Sequence, residues 1–231
     1  VSAVIMAGGY GTRLEPITHI LPKPLIPINN IPIIERVMQN FLFEGINQFV
    51  ITVHYKAKLL EAFFNEFAKE KKIKINLIRE SKPLGTAGGL KKIGRLKKDF
   101  FLINCDTLVK YPFLQILKTH KYEKNAITIV TVKKKFQVPF GICESDENKN
   151  LKLIVEKPVN FHNINIGLYV MSPLVKKFIP KNKKINMDVL IKNLLKKKIK
   201  IGIYNINEKN WSDVGEWNSY NLARKKINDV E

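Results

Sequence analysis

The feature that most constrains this chain is a glycine-rich stretch near its start, residues 3–14, with the sequence AVIMAGGYGTRL. The apolar run over residues 3–6 predicts a buried strand, which breaks into three glycines within four positions. Glycines tolerate positive φ and let backbone N–H groups approach a ligand closely. Such amides form a cradle for an anion, and the guanidinium of Arg13 adds donors that suit a phosphate.

The common glycine fingerprints do not fit this stretch. It lacks the Gly-Lys-Ser/Thr ending of a Walker-type loop, and Leu14 occupies the place of the third glycine of dinucleotide-binding folds. A tight structural turn is therefore an open alternative. Residues 21–25, with the sequence LPKPL, favour a ligand site, because two prolines restrict the backbone around Lys23. A lysine held beside an anion cradle suits a polyphosphate.

Together these two segments resemble the sugar-1-phosphate nucleotidyltransferase family, whose signature is Gly-Gly-x-Gly-Thr-Arg-Leu followed by Pro-Lys-Pro. Both parts are present at the family's spacing, and the resemblance extends from residue 3 to about residue 220. It implies an α/β fold that is Rossmann-like and three-layered, with a mixed, mainly parallel central sheet. It also implies one nucleotidyltransferase domain over residues 1–231, with a nucleotide-binding part at about 1–110 and a sugar-phosphate-binding part at about 111–231.

Hydrophobic periodicity independently predicts alternating strands and helices in the first half, which is typical of a parallel sheet with right-handed crossovers. Ligands bind such sheets at the carboxyl ends of the strands, where the glycine stretch, Glu80 and Asp106 fall. The second half is richer in strands, and we expect both halves to share one continuous mixed sheet. The predicted strands cover residues 48–53, 73–78, 100–103, 127–132, 140–143, 151–155, 166–171 and 199–206, and the predicted helices cover residues 32–44, 57–68, 85–93, 173–179, 187–197 and 215–227.

Two aspartates are candidate metal ligands. Asp106 follows a predicted strand, and Asp213 lies in the segment WSDVG. A lone aspartate at a strand end is more often a cap or turn residue, but Mg²⁺ bound with substrate phosphates needs only one or two protein carboxylates. The resemblance pairs these two residues around Mg²⁺. Cys105 departs from the family, which usually has glycine there, and this larger residue crowds the approach to Asp106.

The resemblance also implies a sugar-phosphate site. Glu156-Lys157-Pro158 matches the family's Glu-Lys-Pro motif, in which the lysine binds the phosphate and the glutamate accepts hydrogen bonds from sugar hydroxyls. Asn165 matches an asparagine that contacts the sugar, and Gly141 matches a glycine whose backbone approaches the ring. An exposed ion pair before a turn is the alternative interpretation of Glu156 and Lys157.

Base recognition is expected to depend on Glu80, since a carboxylate can accept from both N1–H and the N2 amino group of guanine. Uracil presents carbonyl oxygens beside its N–H, and a carboxylate would repel them. Some uridylyl members of the family also carry an acidic residue there, so UTP stays an alternative to GTP. The small residues that follow, including Gly85 and Thr86, would let the base lie against the backbone.

Composition excludes some other classes of protein. The 231 residues carry 40 Lys and Arg against 20 Asp and Glu, a formal net charge of +20 that suggests nucleic acid. The lysines are scattered without a nucleic-acid-binding module, however, so a lysine-rich surface is favoured. Two cysteines and no apolar run long enough for a bilayer indicate a reducing cytoplasm and no membrane insertion. Homo-oligomerisation is possible. The chain is also a candidate fragment of a longer protein.

The resemblance thus implies a Mg²⁺-dependent transfer of a nucleotidyl group from an NTP, preferably GTP, to a sugar-1-phosphate. It implies that glucosamine-1-phosphate, on the way to legionaminic acid, is one candidate sugar, with mannose and heptose phosphates as others. A nucleotide-sugar-sensing subunit without turnover is the alternative from another class. The predicted catalytic residues are Arg13, Lys23, Asp106, Lys157 and Asp213, and the predicted nucleotide-binding residues are Ala7, Gly8, Gly9, Gly11, Thr12, Arg13, Lys23, Glu80, Gly85 and Thr86.

Overall fold

A single mixed sheet organises the fold. The computed structural model describes residues 1–94 and 96–228, and within that part of the chain seven strands form this sheet. The strands are β1 (Ala3–Ala7), β2 (Pro27–Ile28), β3 (Ile31–Pro32), β4 (Gln48–Val53), β5 (Lys74–Arg79), β6 (Phe100–Asn104), β7 (Thr107–Val109), β8 (Ile127–Gln137), β9 (Ile142–Ser145), β10 (Leu151–Val155), β11 (Val159–Met171), β12 (Ile201–Ile206) and β13 (Trp211–Asp213). The α-helices are α1 (Ile33–Phe43), α2 (Ala57–Lys71), α3 (Gly85–Gly88), α4 (Phe113–Tyr122), α5 (Met187–Lys196) and α6 (Trp217–Asn228).

The order of strands in the main sheet is β12-β8-β11-β6-β1-β4-β5. Strand β11 runs antiparallel to both of its neighbours, whereas the other pairs are parallel. Because β11 joins β6 to β8, strands from both halves of the chain belong to one sheet. The predicted mixed, mainly parallel sheet is therefore confirmed.

Successive side chains of a strand point to opposite faces of the sheet. Each face packs against a layer of helices. In β1, Ala3 and Ile5 pack into the larger core with α1, α2 and α4, while Val4 packs into a second core with α5. Helix α1 buries Ile33, Ile34, Val37, Met38 and Phe41 at the spacing of one helical face. The result is the three-layered arrangement that the sequence predicts.

The structure differs from the predictions in several places. Helix α4 was not predicted, although its buried residues Phe113, Ile116, Leu117 and His120 follow helical spacing. The closing helix begins at Trp217 rather than at residue 215, since Gly215 packs against polar side chains described below. Strands β8 and β11 extend beyond their predicted ranges, because their polar outer halves pair with each other. None of the described helices is long and apolar enough to cross a membrane.

We predict that Phe41→Ala destabilises the fold by about 3–5 kcal/mol, the usual cost of removing a large buried aromatic side chain. Phe41 is fully buried and stacks on Phe113 with a centroid distance of 4.1 Å. Phe43→Ala is the matched control on the same helix, because Phe43 is 93% exposed. Urea denaturation followed by circular dichroism measures both, and equal losses of stability would contradict the assigned packing of α1.

Candidate active site at the carboxyl ends of the strands

The glycine-rich loop forms one wall of a pocket at the carboxyl end of β1. The pocket has a volume of about 330 Å³ and also receives residues that follow β5 and β6. Ala7 is buried at the end of β1 and supports the loop from below. The predicted residues that line the pocket are Gly8, Gly9, Gly11, Thr12, Arg13, Lys23, Glu80, Gly85, Thr86 and Asp106.

Gly11 allows this loop to turn back onto Lys23. Its φ of +71° lies in the left-handed region, and it starts a short 3₁₀ turn over Thr12–Leu14. A Cβ at Gly11 would lie 2.9 Å from Cγ2 of Thr18 and 3.0 Å from Cβ of Lys23. Glycine therefore meets both a conformational and a steric requirement at this position.

Lys23 and Asp106 form a buried ion pair in the pocket. The Nζ atom of Lys23 contacts Oδ2 of Asp106, and it lies 3.4 Å from the carbonyl oxygen of Gly215. Both side chains are largely buried, with exposed fractions of 9% and 14%. Lys23 is held by a 3₁₀ turn between prolines, as the sequence predicts. A charge buried in this way is stable only while its partner is present.

Asp213 and Arg13 converge on the same point, which lies against Gly215. A Cβ at Gly215 would lie 2.9 Å from Oδ1 of Asp213 and 3.1 Å from both Nη2 of Arg13 and Oδ2 of Asp106. Asp213 reaches this point because β13 pairs with β7, which follows Asp106 directly. Burial, and then the nearby charge of Asp106, raises the pKa of the Asp213 carboxyl. Two predicted aspartates and two predicted cations thus meet in one cluster.

The Asp106–Asp213 pair fits a divalent cation that also binds substrate phosphates. Burial raises the pKa of Asp213 first and the charge of Asp106 raises it further, and a cation between the two carboxylates would offset the second effect. Within the described residues, no group of three or more His, Cys, Asp and Glu side chains is placed to hold a metal. Cys105 offers no thiolate, because burial raises the pKa of its thiol to about 12. The remaining ligands would therefore have to come from substrate and water, as is usual for Mg²⁺.

Glu80 lies at the floor of the pocket, where it is 5% exposed. Its Oε2 atom accepts a hydrogen bond of 3.2 Å from the backbone N–H of Leu84. A Cβ at Gly89 would lie 2.2 Å from Oε1, so the backbone of residue 89 presses against the carboxylate. Burial raises the pKa of the Glu80 carboxyl. Glu80 thus shapes the loop that the sequence assigns to the base, and it also faces the space where a ligand would lie.

Gly85 and Thr86 connect this loop to the segment before α5. Gly85 has a φ of +76°, and a Cβ there would lie 2.6 Å from the carbonyl oxygen of Ile185. The Thr86 hydroxyl accepts a hydrogen bond of 2.9 Å from the backbone N–H of Met187. Both residues line the pocket, but these contacts also give them a structural role that the sequence does not predict.

Asn165 lies on β11, where it pairs with Thr131 of β8. Its Oδ1 accepts from the N–H of Gly167 at 3.0 Å, and its Nδ2 donates to the hydroxyl of Tyr169 at 2.8 Å. Gly167 in turn lies against Asn104, because a Cβ there would be 2.3 Å from Nδ2 of that residue. The side chain of Asn165 is therefore fixed by its own strand.

Gly141, Glu156 and Lys157 lie together, but none of them lines the pocket. A Cβ at Gly141 would lie 2.9 Å from Oε2 of Glu156, and Nζ of Lys157 lies 3.9 Å from Oε1 of Glu156. The side chains of Lys157 and Glu156 are 59% and 70% exposed. Lys157 also has a φ of +46°, which costs a non-glycine residue about 1–2 kcal/mol. The structure thus contains the Glu156–Lys157 ion pair and a left-handed backbone conformation at Lys157. The contacts of these residues with a sugar phosphate remain a prediction.

Tyr10, which lines the pocket, and His54, which lies beside it, are residues that the sequence does not single out. Tyr10 lines the mouth of the pocket, and its hydroxyl lies 3.4 Å from Nε2 of His54. Nδ1 of His54 lies 2.8 Å from the carbonyl oxygen of Glu80. This carbonyl can only accept, so Nδ1 carries the proton. Tyr10 occupies the variable position of the glycine motif, which gives no indication of its role.

The comparison with known families agrees with this geometry. The sequence matches the profile described as Nucleotidyl transferase over residues 2–230. The chain belongs to the nucleotidyl transferase family. The resemblance stated from the glycine and Pro-Lys-Pro segments is thereby confirmed.

Relatives in this family include proteins named mannose-1-phosphate guanyltransferase. The one from Hypocrea jecorina is 37% identical over 185 residues, which are 77% of this chain and 51% of that protein. The one from Candida albicans is 37% identical over 76% of this chain and 51% of its own length. The chain therefore spans about half the length of the curated relatives that it matches.

Several solved structures are similar in fold to this chain. HddC from Yersinia pseudotuberculosis is 25% identical, with a TM-score of 0.73 and coverage of 98% of this chain and 99% of that chain. A second HddC structure, complexed with GMP-PN, has a TM-score of 0.71 at the same identity and coverage. The inositol-1-phosphate CTP transferase from T. maritima has a TM-score of 0.75 at 16% identity, covering 99% of this chain and 95% of that chain. This last likeness concerns the fold alone.

We predict that Gly215→Ala leaves the protein folded but lowers turnover by about tenfold or more, since displacing a charged hydrogen-bonding group by a few tenths of an ångström weakens its contacts. The new methyl group would meet Asp213, Arg13 and Asp106 at once. Gly94→Ala is the control, because a Cβ at Gly94 has no heavy atom within 4 Å. Assays of pyrophosphate release and thermal melting check both variants, and an active Gly215→Ala protein would contradict the tight cluster.

Proposed function

We propose that this chain is a sugar-1-phosphate guanylyltransferase, which converts GTP and a sugar-1-phosphate to a GDP-sugar and pyrophosphate. The observation that carries this proposal is the cluster of Arg13, Lys23, Asp106 and Asp213 around Gly215 beside the glycine-rich loop. It combines cationic donors for phosphates with a pair of carboxylates. Family membership and the names of the relatives support the same reaction.

In this reaction a phosphate oxygen of the sugar-1-phosphate attacks the α-phosphorus of GTP. A new P–O bond forms as the bond from the α-phosphorus to the bridging oxygen breaks, and pyrophosphate leaves with that oxygen. No covalent enzyme intermediate is required, so positioning and charge neutralisation supply most of the catalysis. The amides of Gly8, Gly9 and Gly11, with Arg13 and Lys23, would hold the triphosphate.

Asp106 and Asp213 would hold a divalent cation, for which Mg²⁺ is our proposal. When bound, Mg²⁺ supplies positive charge that stabilises the phosphate oxygens of the transition state. Lys23 already contacts Asp106 and orients that carboxylate. Lys157 would bind the phosphate of the incoming sugar phosphate, and Glu156, Gly141 and Asn165 would contact the sugar.

Guanine is the proposed base for two reasons. The relatives named above are guanyltransferases, and HddC has been solved with GMP-PN. Glu80 also offers a carboxylate at the floor of the pocket, which suits the adjacent N1–H and N2 amino donors of guanine. A uridylyltransferase and a sensing subunit without turnover are the alternatives.

Three sugar phosphates are candidates for the second substrate. The names of the relatives make mannose-1-phosphate the first candidate, and glucosamine-1-phosphate and heptose-1-phosphate are the others. A matrix of GTP, UTP, dTTP, CTP and ATP against these sugar phosphates, scored for pyrophosphate, identifies both substrates. Preference for UTP would overturn the guanylyl assignment, and nucleotide binding without pyrophosphate in any combination would favour the sensing subunit.

We predict that Asp106→Asn preserves the fold but sharply lowers turnover at limiting Mg²⁺, because an amide is a weaker ligand than a carboxylate. The amide that replaces the carboxylate can still accept from Nζ of Lys23, so the fold is kept, but at a lower stability, because Lys23 then lies buried beside a neutral partner. Asp213→Asn should have the same phenotype, and Asp99→Asn, which lies before β6, is the control. Titration of turnover with Mg²⁺ measures the effect. Wild-type dependence on Mg²⁺ in the Asp106→Asn protein would remove Asp106 from the cation site.

We predict that the preference for GTP over UTP falls as the pH is lowered. Burial raises the pKa of Glu80, so its carboxylate is protonated at a higher pH than that of a free glutamate. The protonated form can no longer accept from both donors of guanine. Glu80→Gln keeps an oxygen for the N–H of Leu84 but should lose both the preference and its pH dependence. The ratio of kcat/KM values for the two nucleotides, measured across pH, cancels the titration of their phosphates, and a constant ratio would exclude Glu80 from base recognition.

A further inference from the structure

His54 follows β4 directly and lies beside the pocket without lining it. Because β4 lies between β1 and β5 in the sheet, the residue after it stands between the glycine-rich loop and Glu80. A Cβ at Gly8 would lie 3.5 Å from Cβ of His54 and 3.7 Å from Oε2 of Glu80. His54 is thus placed to hold two walls of the pocket that reach it from different strands.

The end of β4 holds both backbone groups of Glu80. The N–H of Glu80 donates to the carbonyl oxygen of Val53 at 2.8 Å, and its own carbonyl oxygen accepts from Nδ1–H of His54 at 2.8 Å. The first bond continues the pairing of β4 with β5, which ends at Arg79, whereas the second depends on a side chain. The direction in which residue 80 leaves the sheet is therefore set in part by His54.

The backbone of residue 80 matters because its carboxylate has little room to adjust. Oε2 of Glu80 accepts from the N–H of Leu84 at 3.2 Å, and a Cβ at Gly89 would lie 2.2 Å from Oε1. Hydrogen bonds weaken steeply when their angles are distorted. A rotation of the peptide that carries this carboxylate would therefore change which donors it can accept from.

The other ring nitrogen of His54 faces the tip of the glycine-rich loop. In the neutral ring Nδ1 carries the proton, so Nε2 accepts, and the hydroxyl of Tyr10 donates to it across 3.4 Å. The two rings meet edge to face, with a centroid distance of 5.8 Å. This contact is longer than the one to Glu80, and Tyr10 is 49% exposed. His54 thus holds Glu80 more firmly than Tyr10.

We propose that His54 is a positioning residue for base recognition, which acts through the backbone of Glu80 rather than through contact with the nucleotide. Its Nδ1–H fixes the peptide group from which the Glu80 carboxylate extends. Loss of this bond changes the discrimination between bases, because the carboxylate no longer matches the donors of the correct base. The inference rests on the proposed function, since it deepens the role of Glu80 in reading guanine.

Two substitutions of His54 separate its two contacts. His54→Ala removes both of them, whereas the amide nitrogen of His54→Asn takes the place of Nδ1 and keeps a donor for the carbonyl oxygen of Glu80. The asparagine does not reach the hydroxyl of Tyr10. Tyr55→Phe is the matched control, because Tyr55 is the next residue and its hydroxyl donates to the carbonyl oxygen of Thr18 at 3.0 Å.

Isothermal titration calorimetry with Mg²⁺ and without a sugar phosphate measures the Kd values for GTP and UTP without turnover. We expect the preference for GTP to fall by about tenfold in His54→Ala, as for one lost hydrogen bond. In His54→Asn and Tyr55→Phe we expect the preference to stay within about twofold of the wild type, since both keep the bond to Glu80. Thermal melting checks that every variant is folded at the temperature of the titration.

A His54→Ala protein that keeps the wild-type preference, or that loses affinity for GTP and UTP equally, would show that His54 only supports the fold, and would overturn the inference. So would a His54→Asn protein that behaves like His54→Ala, a Tyr55→Phe protein that loses the preference, or a wild type that binds both nucleotides equally. The proposed function is judged separately, because it fails if the wild type prefers UTP or releases no pyrophosphate. In either case the change in preference between the wild type and its variants still decides the role of His54.

Discussion

The candidate site depends on the buried ion pair between Lys23 and Asp106. Burying either charge alone would cost several kcal/mol, so the segment around Lys23 and the end of β6 are stable only when they meet. Their contact also fixes the neighbours, since Nζ of Lys23 lies 3.4 Å from the carbonyl oxygen of Gly215, and Arg13 and Asp213 crowd the same glycine. Two cations and two carboxylates balance each other there. Under the proposed function, the triphosphate and its divalent cation would meet a cluster whose own charges already balance.

Close backbone approach is the second constraint, and it explains why small residues surround the pocket. Gly89 leaves room for the buried carboxylate of Glu80, and Gly85 leaves room for the carbonyl oxygen of Ile185. At these positions the pocket wall is backbone rather than a rotatable side chain. Ligand binding therefore costs little side-chain conformational entropy there. The raised pKa values of Glu80 and Asp213 have the same origin, because dense packing removes the water that would otherwise stabilise their charges.

Much of this fold follows from the sequence, for identifiable reasons. The strands β1, β4 and β6 are buried on both faces and read as continuous apolar runs, so their positions were predicted within one residue. The motif residues Arg13, Lys23 and Asp106 were predicted because their chemistry is local to short segments. The steric role of Gly215 could not be predicted, since it depends on side chains distant in sequence. Nor could the position of Lys157, because a motif does not show how far a strand projects beyond the sheet.

The pocket and the proposed sugar-phosphate residues differ in how far their side chains are held by the surrounding structure. The pocket rests on a sheet with a packed core, whereas Glu156 and Lys157 lie in a segment, residues 139–157, in which every residue is exposed. Ordering exposed side chains costs about 0.5–1.5 kcal/mol for each one immobilised. If these residues bind the sugar phosphate as proposed, its affinity would carry this cost, whereas affinity for the nucleotide would not. Under the proposed function, selectivity for the sugar phosphate would therefore depend on residues remote from the ion pair that anchors the pocket.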